Sequence, residues 1–113
     1  MKLICIGDSL TFGYGVHLSQ RWTQLCAQET GWELVNEGIN GDTTGGMLAR
    51  MQGGVLAELR EGGLGADRPY VLLMGGSNDV FYSRSDAAAR GNMGAMIHQL
   101  FSVGVLPLSL IHI

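Results

Sequence analysis

Three short stretches of this 113-residue chain carry the residue types that acyl transfer requires: Gly7-Asp8-Ser9-Leu10-Thr11, Asn40-Gly41-Asp42 and Gly76-Ser77-Asn78-Asp79. Acyl transfer needs a nucleophile, a base to take its proton, and donors aimed at the oxygen that becomes an anion. Ser9 is a candidate nucleophile, because it follows an apolar run and lies two residues after a glycine that lets the backbone turn sharply. Backbone N–H groups near Ser9 and at Gly41 are candidate donors, since a glycine amide can approach a ligand without a side chain in the way. The side-chain amide of Asn78 is a third. Loss of one such donor typically costs ~10²–10³ in rate. Asp8, Asp42 and Asp79 are expected to hold their loops, the first two by accepting backbone N–H bonds. Taken singly, each stretch has a plainer explanation. A serine after a strand is commonly a turn residue or helix cap, Gly41 a turn glycine, and Asn78-Asp79 an Asx turn. Their common placement is what favours a site.

That placement follows from the elements between them. Residues 2–6 form an apolar run of the kind that suits a parallel sheet covered by helices. A loop over 7–18 leads to a helix over about 20–30, with Ser19 as N-cap, Trp22, Leu25 and Cys26 at helical spacing, and Gly31 where a C′ residue belongs. A second strand is expected over 32–36. Thr43 or Thr44 then caps a helix carrying Met47, Leu48 and Met51, interrupted at Gly53-Gly54 and resumed by Val55, Leu56 and Leu59. A glycine-rich surface connection over 61–69 precedes the clearest strand, 70–74. A loop follows to about Ser85. A further helix has Met93, Met96, Ile97, Leu100 and Phe101 as its buried stripe, and a fourth strand starts at Val103. The order β-α-β-α-β-α-β predicts an α/β fold: a parallel sheet with right-handed crossovers and helices on both faces. In such sheets the ligand crevice lies outside the carboxyl ends of the strands, where Ser9, Gly41 and Asn78 all fall.

Composition narrows the remaining classes. A chain that is 46% hydrophobic and 15% charged is globular, and its length allows one domain with a modest core. Its 18 glycines cluster between elements, which suggests tight turns. A net charge of −3 leaves no basic stripe for nucleic acid. Cys5 and Cys26 are expected to be buried free thiols, and no Cys/His spacing suits a metal. No run reaches the ~18 apolar residues of a membrane helix, and the N-terminal run is too short for a signal peptide. The chain is therefore expected to be cytoplasmic, without membrane insertion, unless an export signal lies outside it.

Together the three stretches resemble the first three sequence blocks of the SGNH (GDSL-type) esterase and lipase family. Gly7-Asp8-Ser9-Leu10 matches the nucleophile block. Ile39-Asn40-Gly41-Asp42-Thr43 is similar to the block whose glycine donates to the oxyanion, and Gly76-Ser77-Asn78-Asp79 matches the Gly-x-Asn-Asp block. Order and spacing agree over residues 1 to about 107. The resemblance implies a flavodoxin-like three-layer α/β/α fold with about four strands present, no metal and no cofactor. It implies Ser9 as nucleophile, and Gly41 and Asn78 completing the oxyanion hole. The substrate would be a small-molecule ester: a lysophospholipid, a short acyl ester, an acetylated sugar or a thioester.

One departure is as informative. The family's last block places an aspartate and, three residues on, the catalytic histidine near the C-terminus, and no Asp-x-x-His occurs here. His17 and His98 read as solvated or locally bonded, and His112 has no nearby carboxylate to orient it. Leu108-Ser109-Leu110-Ile111-His112-Ile113 is what CTG TCT CTT ATA CAC ATC encodes, a transposon end used to build sequencing libraries. Residues 108–113 are thus expected to be a non-native tail after an incomplete domain, 1–107. The alternative is that they extend the fourth strand. Two further functional readings stand beside the esterase. One is a flavodoxin-like phosphate- or nucleotide-binding module, with the Gly7–Thr11 loop cradling an anion. The other is a noncatalytic α/β domain serving as a partner surface.

Overall fold

The computed structural model describes residues 1–62, 69–105 and 107–111. The expected connection over 61–69 lies largely outside these residues, as do Leu106 and His112. Four parallel strands, β1 (Lys2–Gly7), β2 (Glu33–Gly38), β3 (Tyr70–Gly75) and β4 (Pro107–Ile111), lie in the order β2-β1-β3-β4. The helices are α1 (Ser9–Phe12), α2 (Trp22–Thr30), α3 (Thr44–Ala49), α4 (Val55–Gly62), α5 (Ser77–Ser83) and α6 (Ala87–Ser102). The fold is α/β with a parallel sheet, as the alternation of elements predicts.

Strand alternation sorts the two faces. Ile4 and Ile6 of β1, with Val71 and Leu73 of β3, join one buried cluster with Met47 and Met51, Val55 and Leu59, and Met93, Met96 and Leu100. Helices α3, α4 and α6 therefore cover that face. Four methionines fill it, and their unbranched chains suit the uneven gaps between three helices and a twisted sheet. Leu3 and Cys5 point the other way, toward α2, whose Thr23 is buried against Asn36 of β2.

Local signals mark some boundaries. Gly31 takes φ 73° and closes α2 by donating to the Ala27 carbonyl, and the Thr43 hydroxyl accepts the Gly46 N–H to cap α3. Other boundaries differ from expectation. Arg21, not Ser19, stands at the α2 N-cap, because residues 18–20 form a 3₁₀ turn first. The buried residue of α2 is Thr23, while Leu25 is exposed and Cys26 half-buried. Two expected loops contain the short helices α1 and α5. Phe101 is exposed, since the buried stripe of α6 runs through Ala89, Met93, Met96 and Leu100 and leaves it outside. Residues 103–105 end α6 instead of starting a strand: Val103 and Val105 both donate to the Leu100 carbonyl, and Gly104 adopts φ 77°. The fourth strand begins at Pro107, and residues 108–111 pair with β3 from Leu72 to Gly75.

Candidate active site

Ser9 opens α1 directly beyond the carboxyl end of β1. A helix of one turn is far below the length that is stable alone, so its carbonyls must be satisfied from outside. They are. Asp8 caps the turn by accepting the Leu10 N–H at 3.0 Å. The Ser9 carbonyl accepts from Gly13 and Tyr14, Trp22 Nε1 donates to the Leu10 and Thr11 carbonyls, and Asn36 Nδ2 donates to those of Thr11 and Phe12. All four carbonyls of the turn thus have donors, two side chains supplying those of the last three. The turn also needs room. A Cβ at Gly38 would lie 2.3 Å from the Phe12 nitrogen, and one at Gly7 would lie 2.5 Å from the Met74 carbonyl oxygen. Gly7 and Gly38 are register partners, so they open one groove in which α1 sits.

The second stretch leaves β2 through a turn closed by the Asp42 N–H on the Ile39 carbonyl, with Gly41 in the left-handed region at φ 76°. Asp42 Oδ1 accepts the Thr43 N–H, and its Oδ2 accepts Nε and Nη2 of Arg50 at 2.9 and 2.8 Å. Arg50 also donates to the Glu37 carbonyl at 2.6 Å and the Gly7 carbonyl at 2.9 Å. The third stretch closes onto the second. Asn78 Nδ2 donates to the Asp42 carbonyl at 2.9 Å. The buried Asp79 carboxylate accepts the Thr44 N–H at 2.8 Å and its hydroxyl at 2.6 Å, while Asn92 Nδ2 donates to that same hydroxyl. Met47 of α3 packs over Gly75, where a Cβ would fall 2.6 Å from its sulfur.

The structure thus brings the Gly41 and Asn78 stretches into direct contact, and Ser9 follows β1, which lies between β2 and β3 in the sheet. Among the described residues, no protein acceptor takes the N–H of Ser9, the N–H of Gly41 or the second N–H of Asn78 Nδ2. Three unused donors therefore stand at one sheet edge. His17 and His98 are exposed, and neither forms an ion pair with a carboxylate among the described residues. Within the same limits, no group of three or more His, Cys, Asp or Glu side chains could hold a metal ion, and no helix is long and apolar enough to cross a membrane.

Several residues that shape this edge escape a reading of the sequence: Arg50, Thr44, Asn92, Asn36 and Trp22. Only the Thr43-Thr44 pair carried a local signal, as a cap. A cleft of about 310 Å³ lies behind α1, between Phe12, Arg21, Ala27 and Leu34, on the α2 side of the sheet. Burial raises the Glu37 carboxyl above the usual glutamate value, with the Arg50 guanidinium opposing that shift and Glu58 adding to it.

Comparison with known proteins finds relatives of the same fold. The sequence model of the GDSL-like lipase/acylhydrolase family matches residues 5–109. The esterase TesA of Pseudomonas aeruginosa is 28% identical over 108 residues, which cover 90% of this chain and 49% of that protein. A crystal structure of TesA superposes with a TM-score of 0.80 at 28% identity, covering 96% of this chain and 59% of that one. A G-D-S-L family protein from Desulfitobacterium hafniense gives 0.81 at 26% identity, covering 96% and 57%. The SGNH-hydrolase family esterase AlinE4 gives 0.76 at 25%, again covering 96% and 57%. The chain spans about half the length of the curated relative it matches.

Proposed function

The chain belongs to the GDSL-like lipase/acylhydrolase family, and from that premise we propose that it carries the acyl-transfer half of a serine ester hydrolase. Ser9 Oγ attacks the acyl carbon of a carboxylic ester and gives up its proton to a base. The carbonyl oxygen becomes an anion and accepts from the N–H of Ser9, the N–H of Gly41 and the side-chain amide of Asn78. Collapse expels the alcohol and leaves an acyl group on Ser9, which water then removes with help from the same base. The observation that carries this reading is the set of three unused donors, two of them tied together by the 2.9 Å bond from Asn78 to the Asp42 carbonyl.

No histidine among the described residues is placed to be that base. The sequence has no Asp-x-x-His, and His17 and His98 are exposed away from any carboxylate pairing in the described residues. These 113 residues alone are therefore expected to turn over esters very slowly. The phosphate-cradling alternative is weakened by the shape of α1. A turn of four residues sums too few aligned peptides to supply much of the dipole that such a cradle uses.

The test uses a short-chain aryl ester. The 113-residue chain is compared with the same chain joined at β4 to the C-terminal half of Pseudomonas aeruginosa TesA, which would supply the family's final block. Hydrolysis near background for the first, restored in the second and lost again on Ser9→Ala, is the expected pattern. Restored hydrolysis that survives Ser9→Ala overturns the assignment of the nucleophile. A folded chimera that binds a flavin or nucleotide saturably and shows no hydrolysis overturns the esterase reading itself.

A further inference from the structure

We infer that Arg50 is the positioning residue of the oxyanion loop, an inference that rests on the roles proposed above for Ser9, Gly41 and Asn78. Its guanidinium reaches three acceptors that belong to three different segments. Nε and Nη2 hold Asp42 Oδ2 at 2.9 and 2.8 Å, Nη1 holds the Glu37 carbonyl of β2 at 2.6 Å, and Nη2 holds the Gly7 carbonyl of β1 at 2.9 Å. Gly7 lies two residues before Ser9, and Asp42 directly follows Gly41.

The consequence is a continuous chain of bonds that joins all three proposed donors. From the Ser9 amide the backbone leads to the Gly7 carbonyl, from there Arg50 leads to the Asp42 carboxylate, and the Asp42 backbone carries the Gly41 amide on one side. On the other side the Asp42 carbonyl accepts Asn78 Nδ2. Asp42 is thus held twice, by its side chain from Arg50 and by its main chain from Asn78 of α5. Remove Arg50 and the second hold remains, but the loop loses its reference to the strand that carries the nucleophile.

Two details indicate that the arrangement is built. The Asp42 carboxylate lies where a Cβ on Gly46 would overlap its Oδ1, so a glycine is required for the carboxylate to rest over the first turn of α3. The ion pair is also largely shielded, with side-chain exposures of 23% for Arg50 and 14% for Asp42, so salt screens it less than a surface pair. A lysine cannot replace the fork, because one compact ammonium does not reach acceptors spread across two strand ends and a loop.

The experiment measures covalent labelling of Ser9, in the chain joined at β4 to the C-terminal half of Pseudomonas aeruginosa TesA so that a base is supplied, by an activated alkyl phosphonofluoridate, whose phosphoryl oxygen gains negative charge as serine adds and fluoride leaves. Labelling is followed against reagent concentration by intact-mass and peptide spectrometry, which separates the maximal rate from the half-saturating concentration. Arg50→Met is expected to lower the maximal rate by ~10–100-fold with the half-saturating concentration within about twofold, as misplacement of a donor predicts. Arg50→Lys should fall between Met and wild type. Asp42→Asn, which leaves the two carbonyl contacts of Arg50 in place, should lower the rate by a smaller factor and serves if Arg50→Met does not fold. Folding of each variant is checked by circular dichroism, so that a purely stabilising role shows as a lower melting temperature with an unchanged maximal rate. If the chimera with Arg50 intact labels at Ser9 and the folded variants label at the same maximal rate, the inference about Arg50 is wrong while the proposed function stands. If the folded chimera with Arg50 intact gives no adduct at Ser9, the proposed function fails and takes this inference with it.

Discussion

Replacing Asp79 by asparagine should cost more than an isosteric change of one atom suggests. The carboxylate is buried and accepts two bonds from Thr44, one from its N–H at 2.8 Å and one from its hydroxyl at 2.6 Å. Asparagine keeps an acceptor for the N–H but turns the second oxygen into a donor facing the Thr44 hydroxyl. That hydroxyl already receives Asn92 Nδ2 at 3.1 Å, so its own hydrogen is left without a partner in a fully buried place. A hydrogen bond to a charged group contributes ~1.5–3 kcal/mol and a neutral one ~0.5–1.5 kcal/mol, so Asp79→Asn should destabilise by about 1.5–3 kcal/mol. Asp79→Ala leaves both Thr44 donors unsatisfied, at ~1–3 kcal/mol each, and should cost about 2–6 kcal/mol. Against a total of ~5–15 kcal/mol for a domain, the asparagine variant still folds and is the one to measure. The assay is urea unfolding followed by the fluorescence of Trp22 and Trp32, with Thr44→Val as the second arm of a double-mutant cycle. Coupling of ~1 kcal/mol or more between the two sites is expected. An Asp79→Asn variant within ~0.5 kcal/mol of wild type and additive with Thr44→Val would refute the reasoning.

Three further outcomes are expected. Gly38→Ala places a methyl group 2.3 Å from the Phe12 nitrogen and should lower stability by ~1–3 kcal/mol in urea unfolding, because rigid backbone must move; a neutral result would mean that α1 does not rest on β2. For Glu37, the folded state holds the proton more tightly than the unfolded chain, so stability is lost as pH rises through the ordinary glutamate value toward the raised one. Glu37→Gln should therefore gain melting temperature relative to wild type on going from pH 4 to pH 7, and a gain in the opposite direction would contradict the burial argument. Burial and neighbouring Cys26 push the Cys5 thiol up to about 12, so at pH 8 it stays protonated, and iodoacetamide should modify half-buried Cys26 first in the native protein; peptide mapping showing equal modification would disprove this.

Features written in a few adjacent residues were legible in the sequence. The strands at residues 2–7 and 70–75 are short apolar runs, Gly31 and Thr43 close and open helices by bonds to residues three or four positions away, and the parallel order follows from alternation. Short helices were not legible, for the reason that makes them possible. The turn at Ser9–Phe12 exists because Trp22 and Asn36, 11 and 25 residues away from Thr11, cap its carbonyls. Nothing within the turn announces it. The hydrogen bonds that hold the candidate site are equally remote: Arg50 reaches the Gly7 carbonyl across 43 positions, and Asp79 reaches Thr44 across 35. Residues 103–105 misled for a different reason. Val103 and Val105 favour strands, yet Gly104 lets the chain turn and both valines bond back to α6. A local turn closing the helix overrode strand propensity there.

The central claim is that Ser9 is a nucleophile whose product anion is received by Gly41 and Asn78. The decisive measurement applies a serine-directed organophosphonate to the chimera with the C-terminal half of TesA and to its Ser9→Ala and Asn78→Ala variants, with the adduct mapped by tandem mass spectrometry. The account predicts one adduct, on Ser9, absent from Ser9→Ala and formed ~10²–10³ more slowly in Asn78→Ala. An adduct elsewhere in the chain, labelling that persists in Ser9→Ala, or an unchanged rate in Asn78→Ala would contradict it.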